Sequence, residues 1–238
     1  MNAVINQVKE YYEQSYGEMG FGAQRRYPNE ELCRFMGRNL FPIPLSDRSH
    51  VKVLEVGCGS GANLWMVARE GFSAYGVDLS EESLRLCEQM MQKYEVDAQL
   101  SAQDMSQTNF SASEFNFIVD VFSSNCLSKD LGAKFIAEIA RLLKPGGKFF
   151  SYFPSKRSDA FIQPGNSALI DSDTLDSISR KDAAFSGQKY PFRFMHPQEY
   201  KDLLISQGLE VTYLETVGRT YNNGNEYFEF VVVEAQKP

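Results

Sequence analysis

A cluster of glycines between a strand and a helix constrains this chain more than any other feature. Residues 55–61 read EVGCGSG, and they overlap the end of the apolar run VKVLEV at 51–56. A helical pattern follows the cluster directly. Glycine at Gly57, Gly59 and Gly61 permits a tight turn and lets the backbone approach a ligand closely. A strand, a glycine turn and a helix in this order predict the first unit of an open α/β sheet.

Strand and helix patterns alternate through the rest of the chain. Alternation at this interval predicts a parallel sheet with helices on both faces and a ligand at the carboxyl ends of the strands. The sequence NNGN at 222–225 separates the last two strands and predicts an antiparallel hairpin. We therefore expect an α/β fold whose seven-stranded, mostly parallel sheet ends in an antiparallel C-terminal hairpin. After the first strand, the second is predicted at 73–77, and a short third strand directly precedes Asp104. The later strands are predicted at 115–122, 148–153, 209–216 and 227–235. The later helices are predicted at 81–94, 134–143 and 196–207.

Two segments fall outside this alternation. Residues 1–48 are helical in pattern with a glycine-rich break, and we predict an N-terminal helical cap over the ligand site. Residues 154–195 are rich in Ser, Asp and Gly with scattered aromatic residues. We predict that they form an inserted lid or substrate segment within the main domain, residues 49–238.

The charge balance restricts what the chain binds. Its 238 residues carry a formal net charge of −7, without clustered Lys or Arg, which argues against a nucleic-acid partner. The sequence has neither a signal peptide nor a run of about 18 apolar residues, so we expect no membrane insertion. The four cysteines form no C-x-x-C pair and are expected to be reduced thiols in the cytoplasm. With two histidines and no acid cluster at metal-ligand spacing, no metal site is predicted.

Acidic residues follow the second and third strands. Asp78 ends the second strand, where a carboxylate can accept hydrogen bonds from both hydroxyls of a ribose. Asp104 and Met105 follow the third strand and suit the amino group and the ring face of an adenine. NAD would also use Asp78, but a G-x-G-x-x-G turn that starts at Gly57 would have its third glycine where this chain has Ala62, which Asn63 follows. The spacing favours an adenosyl ligand without a pyrophosphate.

These residues resemble the motifs of the class I S-adenosylmethionine-dependent methyltransferases. The resemblance is carried by VLEVGCGSG at 53–61, VDLS at 77–80, AQDM at 102–105 and RLLKPGGK at 141–148. It implies a Rossmann-like fold, S-adenosyl-L-methionine as cofactor and S-adenosyl-L-homocysteine as product. The three glycines would approach the methionine part, and Asp78 the ribose. The candidate cofactor-binding residues are Tyr16, Arg25, Tyr27, Glu55, Gly57, Cys58, Gly59, Gly61, Asp78, Leu79, Asp104, Met105, Asp120 and Phe122.

The catalytic residues and the acceptor are less constrained than the cofactor. Methyl transfer from a sulfonium needs alignment of the acceptor, methyl group and sulfur, and exclusion of water. A base is needed only for a hydroxyl acceptor, and Asp120 and His196 are the candidate bases. An N-cap role for His196 is the alternative. The expected acceptor is an oxygen or nitrogen of a small molecule, because the Asn-Pro-Pro-Tyr segment of nucleic-acid and protein methyltransferases is replaced by VFSS at 121–124. The alternatives are a catalytically silent cofactor-binding regulator, an RNA or protein methyltransferase, and an NAD-dependent oxidoreductase.

Overall fold

The computed structural model describes residues 3–238, with side chains from Ile5 onward. Within that range the chain forms eight α-helices and nine strands. The helices are α1 (Ala3–Met19), α2 (Glu30–Asn39), α3 (Leu45–Arg48), α4 (Leu64–Arg69), α5 (Glu81–Tyr94), α6 (Lys129–Leu142), α7 (Asp159–Ile162) and α8 (Pro197–Ser206). The strands are β1 (Lys52–Val56), β2 (Ser73–Asp78), β3 (Gln99–Ala102), β4 (Phe115–Val121), β5 (Leu143–Pro154), β6 (Thr174–Leu175), β7 (Phe192–Arg193), β8 (Glu210–Tyr221) and β9 (Glu226–Gln236).

Seven of these strands form one sheet in the order β3-β2-β1-β4-β5-β9-β8. Strands β1 to β5 pair in parallel, whereas β9 is antiparallel to both β5 and β8. The turn between β8 and β9 is a 3₁₀ turn at Asn222–Gly224, where NNGN predicted a hairpin. The predicted fold is therefore confirmed, and the carboxyl ends of β1, β2, β3 and β4 lie along one edge of the parallel sheet.

The N-terminal helices have two different roles, although the sequence predicted a single cap. Helix α2 begins where the Asn29 side chain accepts hydrogen bonds from two helical N–H groups. Its buried face packs on the sheet, with the Phe35 ring centroid 5.0 Å from that of Phe150 in β5. Only α1 and the turn after it lie over the carboxyl ends of the strands. The predicted cap of residues 1–48 stays a prediction, and its residues 1 and 2 lie outside the described range.

The segment between β5 and α8 is long but contains little regular structure, namely α7, β6 and β7. It contributes to the start of α6, where Asp171 Oδ2 accepts a hydrogen bond of 3.0 Å from the Lys129 backbone N–H. A carboxylate in this position satisfies one of the free N–H groups of a helix N-terminus. Helix α6 therefore begins five residues before the predicted Lys134. Within residues 3–238, none of the helices combines the length and the apolar character that a membrane crossing requires.

Candidate active site

A cavity of about 410 Å³ lies at the carboxyl ends of β1 to β4. Its size is within the range of pockets that enclose small ligands. Helix α1 lies along it, and Phe185 and Gln188 reach it from the segment before β7. Ten of the predicted cofactor-binding residues line the cavity: Tyr16, Arg25, Glu55, Gly57, Cys58, Asp78, Leu79, Asp104, Met105 and Phe122.

The glycines after β1 are required by backbone conformation and by space. Gly57, Gly59 and Gly61 have φ values of +64°, +53° and +82°, which favour glycine. A Cβ atom on Gly57 would lie 2.3 Å from the Ser123 Cβ atom. On Gly59 it would lie 2.7 Å from the Tyr16 hydroxyl oxygen. Gly59 and Gly61 do not line the cavity themselves, but they shape the turn that does.

Substituting Gly57 tests how much this close packing matters. We expect Gly57→Ala to lower the free energy of unfolding by about 2 kcal/mol more than Gly208→Ala, because both positions have positive φ but only Gly57 lacks room for a methyl group. Urea denaturation of both variants measures the difference. Equal losses would show that the Gly57 turn relaxes around the added carbon.

Two of the carboxylates that line the cavity are oriented by backbone N–H groups. Asp78 Oδ2 accepts from Gly59 N–H at 2.9 Å, and Asp78 Oδ1 accepts from Ser80 N–H at 3.0 Å. Each carboxylate oxygen has a second lone pair for a ligand hydroxyl. Burial raises the pKa of Asp78, while these N–H groups oppose the rise. Asp104 accepts from the backbone and hydroxyl of Ser106 through Oδ1, so Oδ2 is not used by them.

Glu55 has a different environment, because it is buried at the end of β1. Its Oε1 accepts a hydrogen bond of 2.6 Å from Asn63 Nδ2, and its Oε2 has no partner among the described residues. Asn63 Oδ1 in turn accepts from the backbone N–H of Asn29 at the start of α2. Burial raises the pKa of Glu55 to about 8, although Asn63 and the Arg25 guanidinium favour the charged form.

Helix α1 contributes a buried hydroxyl to the same region. The Tyr16 side chain is 1% exposed, and its hydroxyl has no hydrogen-bond partner within the described part of the chain. Burial raises the pKa of Tyr16 well above its usual value, so the phenol keeps its proton. An unpaired buried hydroxyl is costly unless a ligand or water satisfies it. Tyr16 and Glu55 Oε2 are thus polar groups that a bound molecule could satisfy.

Besides Gly59 and Gly61, three of the predicted site residues do not line the cavity. Tyr27 is 67% exposed, because the chain turns away from the cavity after Arg25 and before α2. His196 accepts a hydrogen bond from the Gln198 N–H as the N-cap of α8, and its Nε2 lies 3.1 Å from Arg157. The cap interpretation of His196 therefore fits its position, and the general-base interpretation does not.

Asp120 is the third of these residues and is fully buried. Five N–H and O–H groups lie within hydrogen-bond distance of its carboxylate: Ser123 N–H, the Ser123 hydroxyl, Ser124 N–H, the Ser124 hydroxyl and the Ser151 hydroxyl. A carboxylate saturated in this way is not positioned to remove a proton from an acceptor. The predictions of Asp120 as a base and as a cofactor contact are corrected: it holds the turn after β4.

Several lining residues were not predicted. Asn63 and Gln103 adjoin predicted residues or motifs, so the helix start after the glycines and the strand end before Asp104 could have indicated them. Gln24, Ser123, Phe185 and Gln188 reach the cavity through loop conformations that no local pattern indicates.

The side chains that line the cavity fit an adenosyl cofactor with an amino-acid tail. Asp78 can accept from a ribose, Leu79 and Met105 are apolar side chains beside it, and Asp104 can accept from an amino group. Arg25 offers a positive charge to a carboxylate, and Glu55 offers its unpartnered Oε2 to an ammonium group. Among the described residues there is no group of three metal-ligating side chains.

Comparisons with known proteins identify a methyltransferase domain in this chain. Residues 53–147 match the family model described as a methyltransferase domain. The chain is 26% identical over 156 residues to the tRNA N(3)-methylcytidine methyltransferase of Schizosaccharomyces pombe, covering 61% of this chain and 49% of that enzyme. It is 23% identical over 201 residues to a ubiquinone biosynthesis O-methyltransferase of Bartonella bacilliformis, covering 84% and 75%.

A solved structure resembles the whole chain. The Burkholderia thailandensis 1,6-didemethyltoxoflavin-N1-methyltransferase, crystallised with 1,6-didemethyltoxoflavin and S-adenosylhomocysteine, superposes with a TM-score of 0.64 at 16% identity. The superposition covers 100% of this chain and 91% of that one. At this identity the similarity shows the fold.

The sheet order, the glycine turn and the acids at successive strand ends define a Rossmann-like domain that binds an adenosyl cofactor. Together with the methyltransferase-domain match over residues 53–147, these features support a class I S-adenosylmethionine-dependent methyltransferase. The cofactor of this family is S-adenosyl-L-methionine. The chain spans only 39–49% of the length of several curated relatives that it matches.

Proposed function

We propose that the protein is an enzyme that transfers the methyl group of S-adenosyl-L-methionine to an oxygen or nitrogen of a small-molecule acceptor, leaving S-adenosyl-L-homocysteine. The observation that carries the proposal is the single cavity that joins the acids at the strand ends to an apolar and aromatic wall from α1, the β4 turn and Phe185. The part with the acids suits the cofactor, and the apolar and aromatic part suits an acceptor. The residues align the two reactants and exclude water, which is most of what this displacement needs.

A small molecule is favoured over RNA by the charge of the chain and of the cavity wall. The net charge is −7, and Lys9 and Arg25 are the cationic residues on the cavity wall within the described chain. RNA binding relies on clustered positive charge. The relatives include both a ubiquinone biosynthesis enzyme and a tRNA enzyme. The four free cysteines suit a reducing compartment, and we place the reaction in the cytoplasm.

The cofactor part of the proposal is tested by calorimetric titration with S-adenosylhomocysteine. We expect micromolar binding to the wild type and about a hundredfold weaker binding to Asp78→Asn, because a charge-assisted pair of hydrogen bonds is lost. Asp97→Asn, at an exposed carboxylate outside the cavity, is the matched control and should bind like the wild type.

Two other outcomes would reject parts of this proposal. Absence of S-adenosylhomocysteine binding, or equal binding by Asp78→Asn, would reject the cofactor site. Transfer of a labelled methyl group from S-adenosylmethionine to total tRNA would reject the small-molecule acceptor.

A further inference from the structure

The acceptor side of the cavity differs chemically from the cofactor side. The three carboxylates that line the cavity, Glu55, Asp78 and Asp104, all lie at or just beyond the ends of β1, β2 and β3. The remaining wall includes Tyr11, Tyr12, Phe122, Leu127, Phe185 and Gln188. His196 caps α8, and His50 lies before β1, at the opposite end of the parallel strands. The acceptor therefore meets rings and an amide rather than a carboxylate or an imidazole.

The aromatic part of this wall is held rigidly. The Phe122 and Phe185 ring centroids are 4.5 Å apart with an interplanar angle of 33°, and Phe192 and Phe230 pack around Phe122. Phe122 has a φ of +59°, which is unfavourable for a residue with a side chain. The turn is held there by the hydrogen bonds to Asp120. A fixed pair of rings favours a planar ligand, because aromatic groups stack at a specific geometry.

A polar group interrupts the apolar wall at Gln188. Its Oε1 is buried and has no hydrogen-bond partner in the described part of the protein. A buried amide oxygen without a partner is costly, so a ligand N–H or O–H that reaches it would be bound favourably. Tyr12 cannot act as a base beside it, since burial raises the pKa of Tyr12 and its hydroxyl lies 2.6 Å from that of Tyr190.

We propose, on the basis of the proposed function, that the acceptor is a planar nitrogen heteroaromatic molecule that carries an N–H or O–H group for Gln188. A neutral ring nitrogen has a lone pair and needs no base before it reacts, whereas a hydroxyl does. The N–CH₃ bond forms from this lone pair as the sulfonium C–S bond breaks and its electrons return to sulfur. The positive charge passes to the ring, and the ring's separate N–H or O–H group releases its proton to water once the product has left the cavity.

The experiment compares three probes with the wild-type protein and S-adenosylmethionine, using mass spectrometry to detect methylated product. Benzimidazole is planar and has both a ring lone pair and an N–H group. The compound 2-naphthol is planar but offers only a hydroxyl, and cyclohexylamine offers a nitrogen without a plane. We expect methylation of benzimidazole alone. Methylation of 2-naphthol or cyclohexylamine in preference to benzimidazole, or of none of the three, would overturn the proposal.

Two variants test the residues that carry the inference. We expect Phe185→Leu and Gln188→Leu each to lower kcat/KM for benzimidazole about tenfold, with unchanged affinity for S-adenosylhomocysteine. Phe161→Leu is the matched control, because Phe161 belongs to the same segment but packs on Phe194 away from the cavity. Binding of 1-methylbenzimidazole, which lacks the N–H group, should be insensitive to Gln188→Leu. If Gln188→Leu affected benzimidazole and 1-methylbenzimidazole equally, Gln188 would not bind the N–H group of the acceptor.

The two levels of proposal fail in different ways. Failure of the wild-type protein to bind S-adenosylhomocysteine would reject the proposed function. Intact S-adenosylhomocysteine binding without transfer to benzimidazole would reject only the acceptor class.

Discussion

Asp120→Ala is expected to lower the free energy of unfolding by about 4 kcal/mol. The carboxylate is fully buried with five donor groups around it, and its removal leaves four of them without an acceptor, because the Ser123 hydroxyl can still donate to the Val56 carbonyl oxygen. A loss of this size is a large part of the stability of an ordinary domain. Urea denaturation measures it, and a thermal scan should show a midpoint lower by roughly 10 °C.

Asp120→Asn separates this structural role from catalysis. Its amide oxygen can still accept from the two backbone N–H groups, and the serine hydroxyls can turn to accept from its NH₂ group. We expect a loss of about 1 to 2 kcal/mol, with unchanged affinity for S-adenosylhomocysteine. Asp202→Asn, on the exposed side of α8, controls for the substitution itself. Wild-type stability in Asp120→Ala would contradict the assigned role.

The cofactor side of the cavity could be predicted from sequence because topology determines it. Parallel strands end at one edge of a sheet, so residues that follow them lie together however far apart they are in the chain. Gly57, Asp78, Asp104 and Met105 were assigned by this rule, and all four line the cavity.

The errors concern side-chain direction, which strand ends do not determine. Asp120 lies on β4 near the same edge, yet its side chain points under the turn because Ser123, Ser124 and Ser151 surround it. Tyr27 is near Arg25 in sequence, but Tyr27 points to solvent whereas Arg25 points to the cavity. Such differences depend on loop conformation.

The acceptor wall could not be predicted because its residues meet only in the fold. Tyr12 of α1 contacts Tyr190, 178 residues further along the chain, through their hydroxyl groups. Gln7 likewise donates to the Lys189 carbonyl oxygen. These contacts join α1 to the segment that carries Phe185 and Gln188, and no periodicity or motif in either segment indicates the other.

Glu55 should make the stability of the protein fall as the pH rises. Its pKa is 4.5 as an ordinary glutamate and about 8 in the fold. Between these values the unfolded chain has lost the proton and the folded chain still holds it, so each pH unit destabilises the fold by about 1.4 kcal/mol. The accumulated loss is on the order of 4 kcal/mol by pH 8; it is absent below pH 4.5 and changes no further well above pH 8.

Glu55→Gln isolates this effect, because a glutamine keeps the oxygen that accepts from Asn63 and cannot ionise. The difference in free energy of unfolding between Glu55→Gln and the wild type should increase from pH 5.5 to pH 7.5 by roughly 3 kcal/mol, since all other groups titrate alike in both proteins. Glu30→Gln should show no such trend, because Arg34 and Arg219 lower the pKa of Glu30 and move its titration to more acid pH. A flat difference for Glu55→Gln would mean that Glu55 is already ionised at pH 5.5, in which case Arg25 rather than burial dominates its charge.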